Sequence, residues 1–135
     1  MKKNSKGSEW AKVDLKKYPK MVTSEVPGPK SKALHARCTK YFKGLSGQVK
    51  LFPVAFESGF GCILKDVDGN EYIDFSSGIY VTTQGHCHPK ITEAITQYAG
   101  TLVNAHDFTT PIKTQLVEKL ASILPGDLTG FQFYD

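Results

Sequence analysis

Residues 66–75 read Asp66-Val67-Asp68-Gly69-Asn70-Glu71-Tyr72-Ile73-Asp74-Phe75. Asp-Gly is a residue pair suited to a tight turn with positive φ, and here it lies between Cys62-Ile63-Leu64-Lys65 and Tyr72-Ile73-Asp74-Phe75. A strand, a turn and a second strand follow from that pattern, so a β-hairpin is predicted over residues 61–75. On the outgoing strand Tyr72 and Asp74 alternate with Ile73 and Phe75, as in a half-buried strand.

Beyond the hairpin, residues 76–89 read SSGIYVTTQGHCHP, small and polar around Ile79, Tyr80 and Val81, with flexible points at Gly78 and Gly85. The segment is long for a connection, and long ordered loops often carry function. It ends in Gly85-His86-Cys87-His88-Pro89, which places two imidazoles and a thiol within three residues. A structural zinc site needs four ligands, normally two spaced pairs. The other candidates, His35, Cys38, Cys62 and His106, are single residues far apart, so no metal site is expected. The local reading is a turn at Gly85 and a helix that starts at Pro89, with His88 in its N-cap region and free N–H groups at its start. The two histidines then serve turn geometry or an interface, and Cys87 is a small side chain.

Two helices are predicted next. Pro89 opens the first, Ile91, Ala94, Ile95 and Tyr98 form its apolar face, and Gly100 ends it. Thr110-Pro111 opens the second, which carries Leu116, Val117, Leu120, Ile123 and Leu124 before Pro125-Gly126 breaks it. Phe131, Phe133 and Tyr134 have β propensity and predict a strand at residues 130–135.

On the N-terminal side, Ala33, Leu34, Arg37, Cys38 and Tyr41 form one stripe at helical spacing, so a helix is predicted from Ser31 to Phe42 with Gly44 as its stop. Residues 1–30 contain Pro19, Pro27, Gly28 and Pro29 and read as a basic arm. Residues 1–50 hold 13 Lys/Arg against 3 Asp/Glu, whereas residues 51–135 hold 4 against 10. The basic half could meet nucleic acid or an acidic surface. Its lysines are scattered among Pro, Gly and Ser with a single arginine, however, and no nucleic-acid-binding motif accompanies them, so a solvated arm is expected.

At 135 residues, 40% of them hydrophobic, the chain has the size of one ordinary domain and enough apolar material for a core. Three cysteines form no disulfide framework, no apolar run approaches the roughly 18 residues of a membrane span, and no apolar segment follows the first lysines as a secretory signal requires. A reduced, soluble, cytoplasmic protein is expected.

The order of these features resembles the N-terminal portion of class III, ornithine/4-aminobutyrate-type, pyridoxal-phosphate-dependent aminotransferases. The resemblance rests on Asp66, Asp68, Gly69, Tyr72, Ile73, Asp74 and Phe75, followed by Ser77-Gly78-Ile79 and, ten residues after the strand, Gly85-His86-x-His88-Pro89. Residues 26–34, VPGPKSKAL, look like the opening of the 4-aminobutyrate branch. It implies an α/β chain with the N-terminal part of the aspartate-aminotransferase-like (fold type I) fold, incomplete. Residues 31–88 would supply the helix, hairpin and substrate-side loop of the small domain, and residues 89–135 the first helices and strand of the large cofactor-binding domain. It further implies a homodimer that binds pyridoxal 5'-phosphate, an amino donor and a 2-oxo acid, with no nucleic acid and no membrane. Ile79, its neighbour Tyr80, and Phe108 fall at substrate-facing positions.

The resemblance places no catalytic or cofactor-binding residue within the chain. The Schiff-base lysine lies beyond it, and the phosphate loop is expected just after Asp135. The lysines after residue 51, Lys65, Lys90, Lys113 and Lys119, fall on the hairpin or on solvated helix faces. The expectation is a fragment, inactive alone, of an enzyme that moves an amino group from a 4-aminobutyrate- or ornithine-like donor to a 2-oxo acid. The alternatives are mutase, racemase or decarboxylase chemistry on the same fold, or a stand-alone basic protein that binds nucleic acid or a partner.

Overall fold

The structure, a computed structural model, describes residue 14 and residues 16–134. The first part of the basic arm, residues 1–13 and 15, and the last residue of the expected terminal strand, Asp135, lie outside the described residues.

Three strands, β1 (Phe56–Phe60), β2 (Ile63–Asp66) and β3 (Glu71–Ile73), form an antiparallel sheet in the order β1-β2-β3. The expected hairpin is β2-β3, with Ile63 opposite Ile73, Leu64 opposite Tyr72 and Lys65 opposite Glu71. Gly69 takes the positive φ of the turn at 94°. Strand β1 had no signal of its own: Phe-Glu-Ser-Gly-Phe lacks alternation, and it is extended because β2 offers a partner edge. Its ladder is interrupted by a bulge between Phe56 and Ser58.

The turn is a polar hub. Asp66 and Asn70 are both fully buried. One Asp66 carboxylate oxygen accepts from the Asp68 N–H (2.9 Å) and the Asn70 N–H (2.8 Å), and the other from Asn70 Nδ2 (2.9 Å) and the Tyr72 hydroxyl (2.8 Å). Asn70 Oδ1 in turn accepts from the backbone N–H groups of Val22 (2.7 Å) and Thr23 (2.9 Å). The described end of the basic arm is thereby tied beside the hairpin.

Asp68 points the other way, to α1 (Pro29–Tyr41), accepting from the N–H groups of Lys30 and Ser31, each at 2.8 Å. The N-cap of α1 is Gly28, which has no side chain to cap with, so the hairpin turn supplies the cap. A Cβ at Gly28 would sit 2.4 Å from Asp68 Cγ, so this approach requires glycine there. A short helix, α2 (Gly47–Leu51), follows; Ser46 caps it by accepting from the Val49 N–H at 3.4 Å. Sequence pattern alone did not reveal it.

Ile63, 4% exposed, is the buried hydrophobic side chain among the described residues. The outgoing strand ends at Ile73, two residues short of the expected Phe75, and just past it the covered side is the polar one: Phe75 is 93% exposed, while the Asp74 side chain is 8% exposed. The alternation is real, but Tyr72 and Asp74 find partners on their face and none of the described residues covers Phe75.

The chain divides into two units, Met1–Ala94 and Ile95–Asp135. The first holds α1, α2, the sheet and a single turn, α3 (Ser77–Tyr80). The unit boundary falls within α4 (Pro89–Ala99), which starts at the expected proline. The second unit holds α5 (Pro111–Ile123), capped by Thr110, whose hydroxyl accepts from the Lys113 N–H at 3.2 Å. The strand expected over residues 130–135 is not formed at residues 130–134, which belong to no ladder. β propensity measures fit to a pleated, half-buried surface, and no described strand lies beside Phe131 and Phe133 to provide one. No helix among the described residues is long and apolar enough to cross a membrane.

Candidate functional site

Residues Ser77, Gly78, Ile79 and Tyr80 have φ values of 52°, 59°, 58° and 68°. That makes α3 a turn of left-handed helix, a conformation that costs about 1–2 kcal/mol for each residue with a Cβ. It is least tolerable for a β-branched residue such as Ile79. Gly78 is the one position where the conformation is free of that penalty. The turn carries both residues placed substrate-side by resemblance, Ile79 and Tyr80, each 82% exposed.

Asp74, at the exit of β3, holds the base of this turn. Its Oδ1 accepts from the N–H groups of Ser76 (2.8 Å) and Ser77 (2.9 Å), and its Oδ2 lies 2.7 Å from His86 Nε2. Burial pushes the Asp74 carboxyl up, but the hydrogen bonds from His86, Ser77 and Ser76 outweigh it and hold the group below 3.8. Ionised, Asp74 can only accept, so Nε2 of His86 carries the proton. His86 is anchored in turn by its backbone, which exchanges two hydrogen bonds with Gly61 (3.0 and 2.8 Å). Its ring lies against Gly59, where a Cβ would come within 2.8 Å of the ring carbon Cγ.

The Gly85–Pro89 cluster is therefore split by function. Gly85 (φ 91°) and Cys87 (φ 55°) shape the turn, His86 reaches back to Asp74, and His88 Nδ1 accepts from the Lys90 N–H (3.2 Å) at the start of α4. Among the described residues no three His, Cys, Asp or Glu side chains gather as a metal site would require. Phe108 belongs to the second unit, where it is 78% exposed and its carbonyl accepts from Lys113 Nζ at 3.1 Å. Ile79 and Tyr80 are brought together by one turn; Phe108 is placed by another unit. Asp74 and His86 are the residues whose joint role the sequence reading did not single out. The signal available was an acid closing the strand and a histidine twelve residues later.

A cofactor tethered to a lysine needs that lysine buried, with its pKa lowered. Every described lysine is exposed, so none of them fits the tether. What these residues can supply is an outward-facing aliphatic and aromatic pair on a left-handed turn that follows the hairpin.

Three carboxylates hold this region together and all lie below their ordinary value of 3.8. For Asp66 and Asp68, as for Asp74, burial acts upward and hydrogen bonds overcome it: from Asn70 and Tyr72 to Asp66, and from the backbone of Ser31 and Lys30 to Asp68. The folded chain thus binds fewer protons than the unfolded chain just below pH 3.8, so this stabilisation is complete above that value and fades as pH falls through the folded values. Amide resonances of Asn70 and Ser77, followed downward from about pH 6, are expected to move with midpoints below 3.8. Midpoints at or above it would contradict the hydrogen-bond assignment.

Comparison with known proteins places these features in a family. The family profile described as aminotransferase class-III matches residues 45–133. An alanine/serine racemase of Pyrococcus horikoshii is 43% identical over 83 residues, covering 62% of this chain and 17% of the racemase. A diaminobutyrate–2-oxoglutarate aminotransferase of Rhizobium meliloti is 40% identical over 79 residues, covering 57% of this chain and 17% of that enzyme. Among solved structures, a transaminase with PLP bound superposes with a TM-score of 0.60 at 33% identity, over 76% of this chain and 24% of that one. The fold is thus that of part of a fold type I PLP transaminase, and the chain spans less than a fifth of the length of these curated relatives.

Proposed function

This chain belongs to the class-III aminotransferase family, and on that premise we propose that it forms the substrate-side part of a pyridoxal-phosphate-dependent aminotransferase. The reaction is transfer of an amino group from a 4-aminobutyrate- or ornithine-like donor to a 2-oxo acid. The observation that carries the reading is the family match over residues 45–133, which contains the hairpin, the left-handed turn and the Gly85–Pro89 segment in one run. Ile79 and Tyr80 on that turn, and Phe108 in the second unit, are the substrate-contacting residues of this reading. The phosphate-binding loop and the lysine tether belong to other parts of the enzyme, which works as a homodimer in the cytoplasm. Bound there, the cofactor supplies an electron sink.

Racemase chemistry is the second reading, supported by the 43% identity to an alanine/serine racemase. One experiment separates the two. The PLP-loaded enzyme that carries this segment is expected to form glutamate from 2-oxoglutarate with 4-aminobutyrate or ornithine as donor. Interconversion of alanine enantiomers with no 2-oxo acid present, and no glutamate formed, would replace transamination by racemisation. The 135-residue chain alone, treated with PLP and borohydride, is expected to show no stoichiometric label at a single lysine; finding one would overturn the assignment of the tether elsewhere.

A further inference from the structure

Resting on the substrate-side reading of Ile79, we infer that Asp74 and His86 form a positioning pair that holds the left-handed turn Ser77–Tyr80 and so fixes where Ile79 and Tyr80 meet the amino donor. Neither residue touches the substrate in this assignment. They act through the backbone of the turn.

Four consecutive residues with φ between 52° and 68° do not form by local preference, because three of them carry a Cβ. Something outside the turn has to select it. Ile79 and Tyr80 cannot, since both side chains are 82% exposed. The turn has its own backbone bonds, from Ile79 N–H to Ser76 O (3.0 Å) and from Thr82 N–H to Ser77 O (2.9 Å), but these only close the loop. The base of the turn is tied to the rest of the chain by Asp74, which takes the N–H groups of Ser76 and Ser77 on one oxygen and His86 on the other. With side chains 8% and 20% exposed, the pair is shielded enough for its geometry to be firm. His86 passes the constraint to the sheet through its exchange of hydrogen bonds with Gly61, next to the end of β1. The chain of restraint runs from sheet to His86 to Asp74 to the turn, and strain concentrated at an outward-facing pair of residues is the pattern of a site held ready for a ligand.

The test uses Asp74→Ala and Asp74→Asn, read in two ways. In the 135-residue chain, kept at a concentration below the onset of self-association, NMR reports the strong intraresidue HN–Hα NOE that marks left-handed residues at Ile79 and Tyr80. D74A is expected to lose it, while the Asn70 and Tyr72 resonances of the hairpin hub stay in place and show that the sheet is folded. D74N, which keeps an acceptor for Ser76 and Ser77, is expected to retain it. In the PLP-loaded enzyme, D74A is expected to raise KM for the amino donor about tenfold with a much smaller change in kcat, and D74N to restore most of it. Retention of the NOE in D74A with the hub intact overturns the inference, as does its loss with KM unchanged. A wild-type enzyme that binds PLP yet fails to transaminate overturns the functional reading instead, and the NOE comparison still decides whether Asp74 holds the turn.

Discussion

Asp66→Ala is expected to dismantle the hairpin. Its carboxylate takes four hydrogen bonds at the fully buried centre of the turn, from two backbone N–H groups, Asn70 Nδ2 and the Tyr72 hydroxyl. Removing the acceptor strands those donors, and each buried unsatisfied group costs about 1–3 kcal/mol. A total of about 3 kcal/mol or more is a large fraction of the stability of any small domain. Among the described residues Ile63 is the buried hydrophobic side chain, so little apolar burial stands behind the hairpin. The loss also spreads, because Asn70 would no longer be fixed to receive Val22 and Thr23, nor Asp68 to cap α1. Tyr72 gives a direct readout. Burial, then its bond to Asp66 and that group's charge, raise the phenol above its ordinary 10.0, so absorbance titration of D66A should find a phenol nearer that value. An unchanged titration with intact hairpin amides would show that the hub is dispensable.

The second large effect concerns the chain by itself. Ile91, Ile95 and Tyr98 on α4 are 42%, 64% and 41% exposed, and Leu116, Ile123 and Leu124 at α5 and its C-cap are 45%, 61% and 39% exposed. These are the apolar faces that periodicity assigned to a core, and among the described residues they remain open. Exposed apolar surface on this scale marks an interface or an aggregation liability. The isolated 135-residue chain is therefore expected to bind a hydrophobic dye several-fold more strongly than a folded domain of equal size and to self-associate as concentration rises. A soluble monomer with a sharp cooperative melt and no dye signal would refute this.

How much could be read without coordinates depends on the range of the interactions involved. The turn at Gly69, the helix starts at Pro89 and Pro111, and the Thr110 cap are local: a glycine that tolerates positive φ, prolines that need no N–H donor, and a hydroxyl three residues from the amide it receives. The order of hairpin, small-residue loop and Gly85–Pro89 carried the family, because that spacing is a property of the chain itself. β1 and the fate of residues 130–134 were not legible, since a strand exists only where another edge pairs with it.

The candidate site shows the same division. Ile79 and Tyr80 were located by motif, but their left-handed conformation depends on Asp74 and on His86, which comes after the turn it helps to hold. Likewise the cap of α1 is a side chain 37 residues beyond the N–H it receives. The amino-acid sequence by itself determined the local turns, the helix starts and the family. Only the tertiary structure decided which carboxylate serves which amide, because such bonds join residues whose proximity no local propensity encodes.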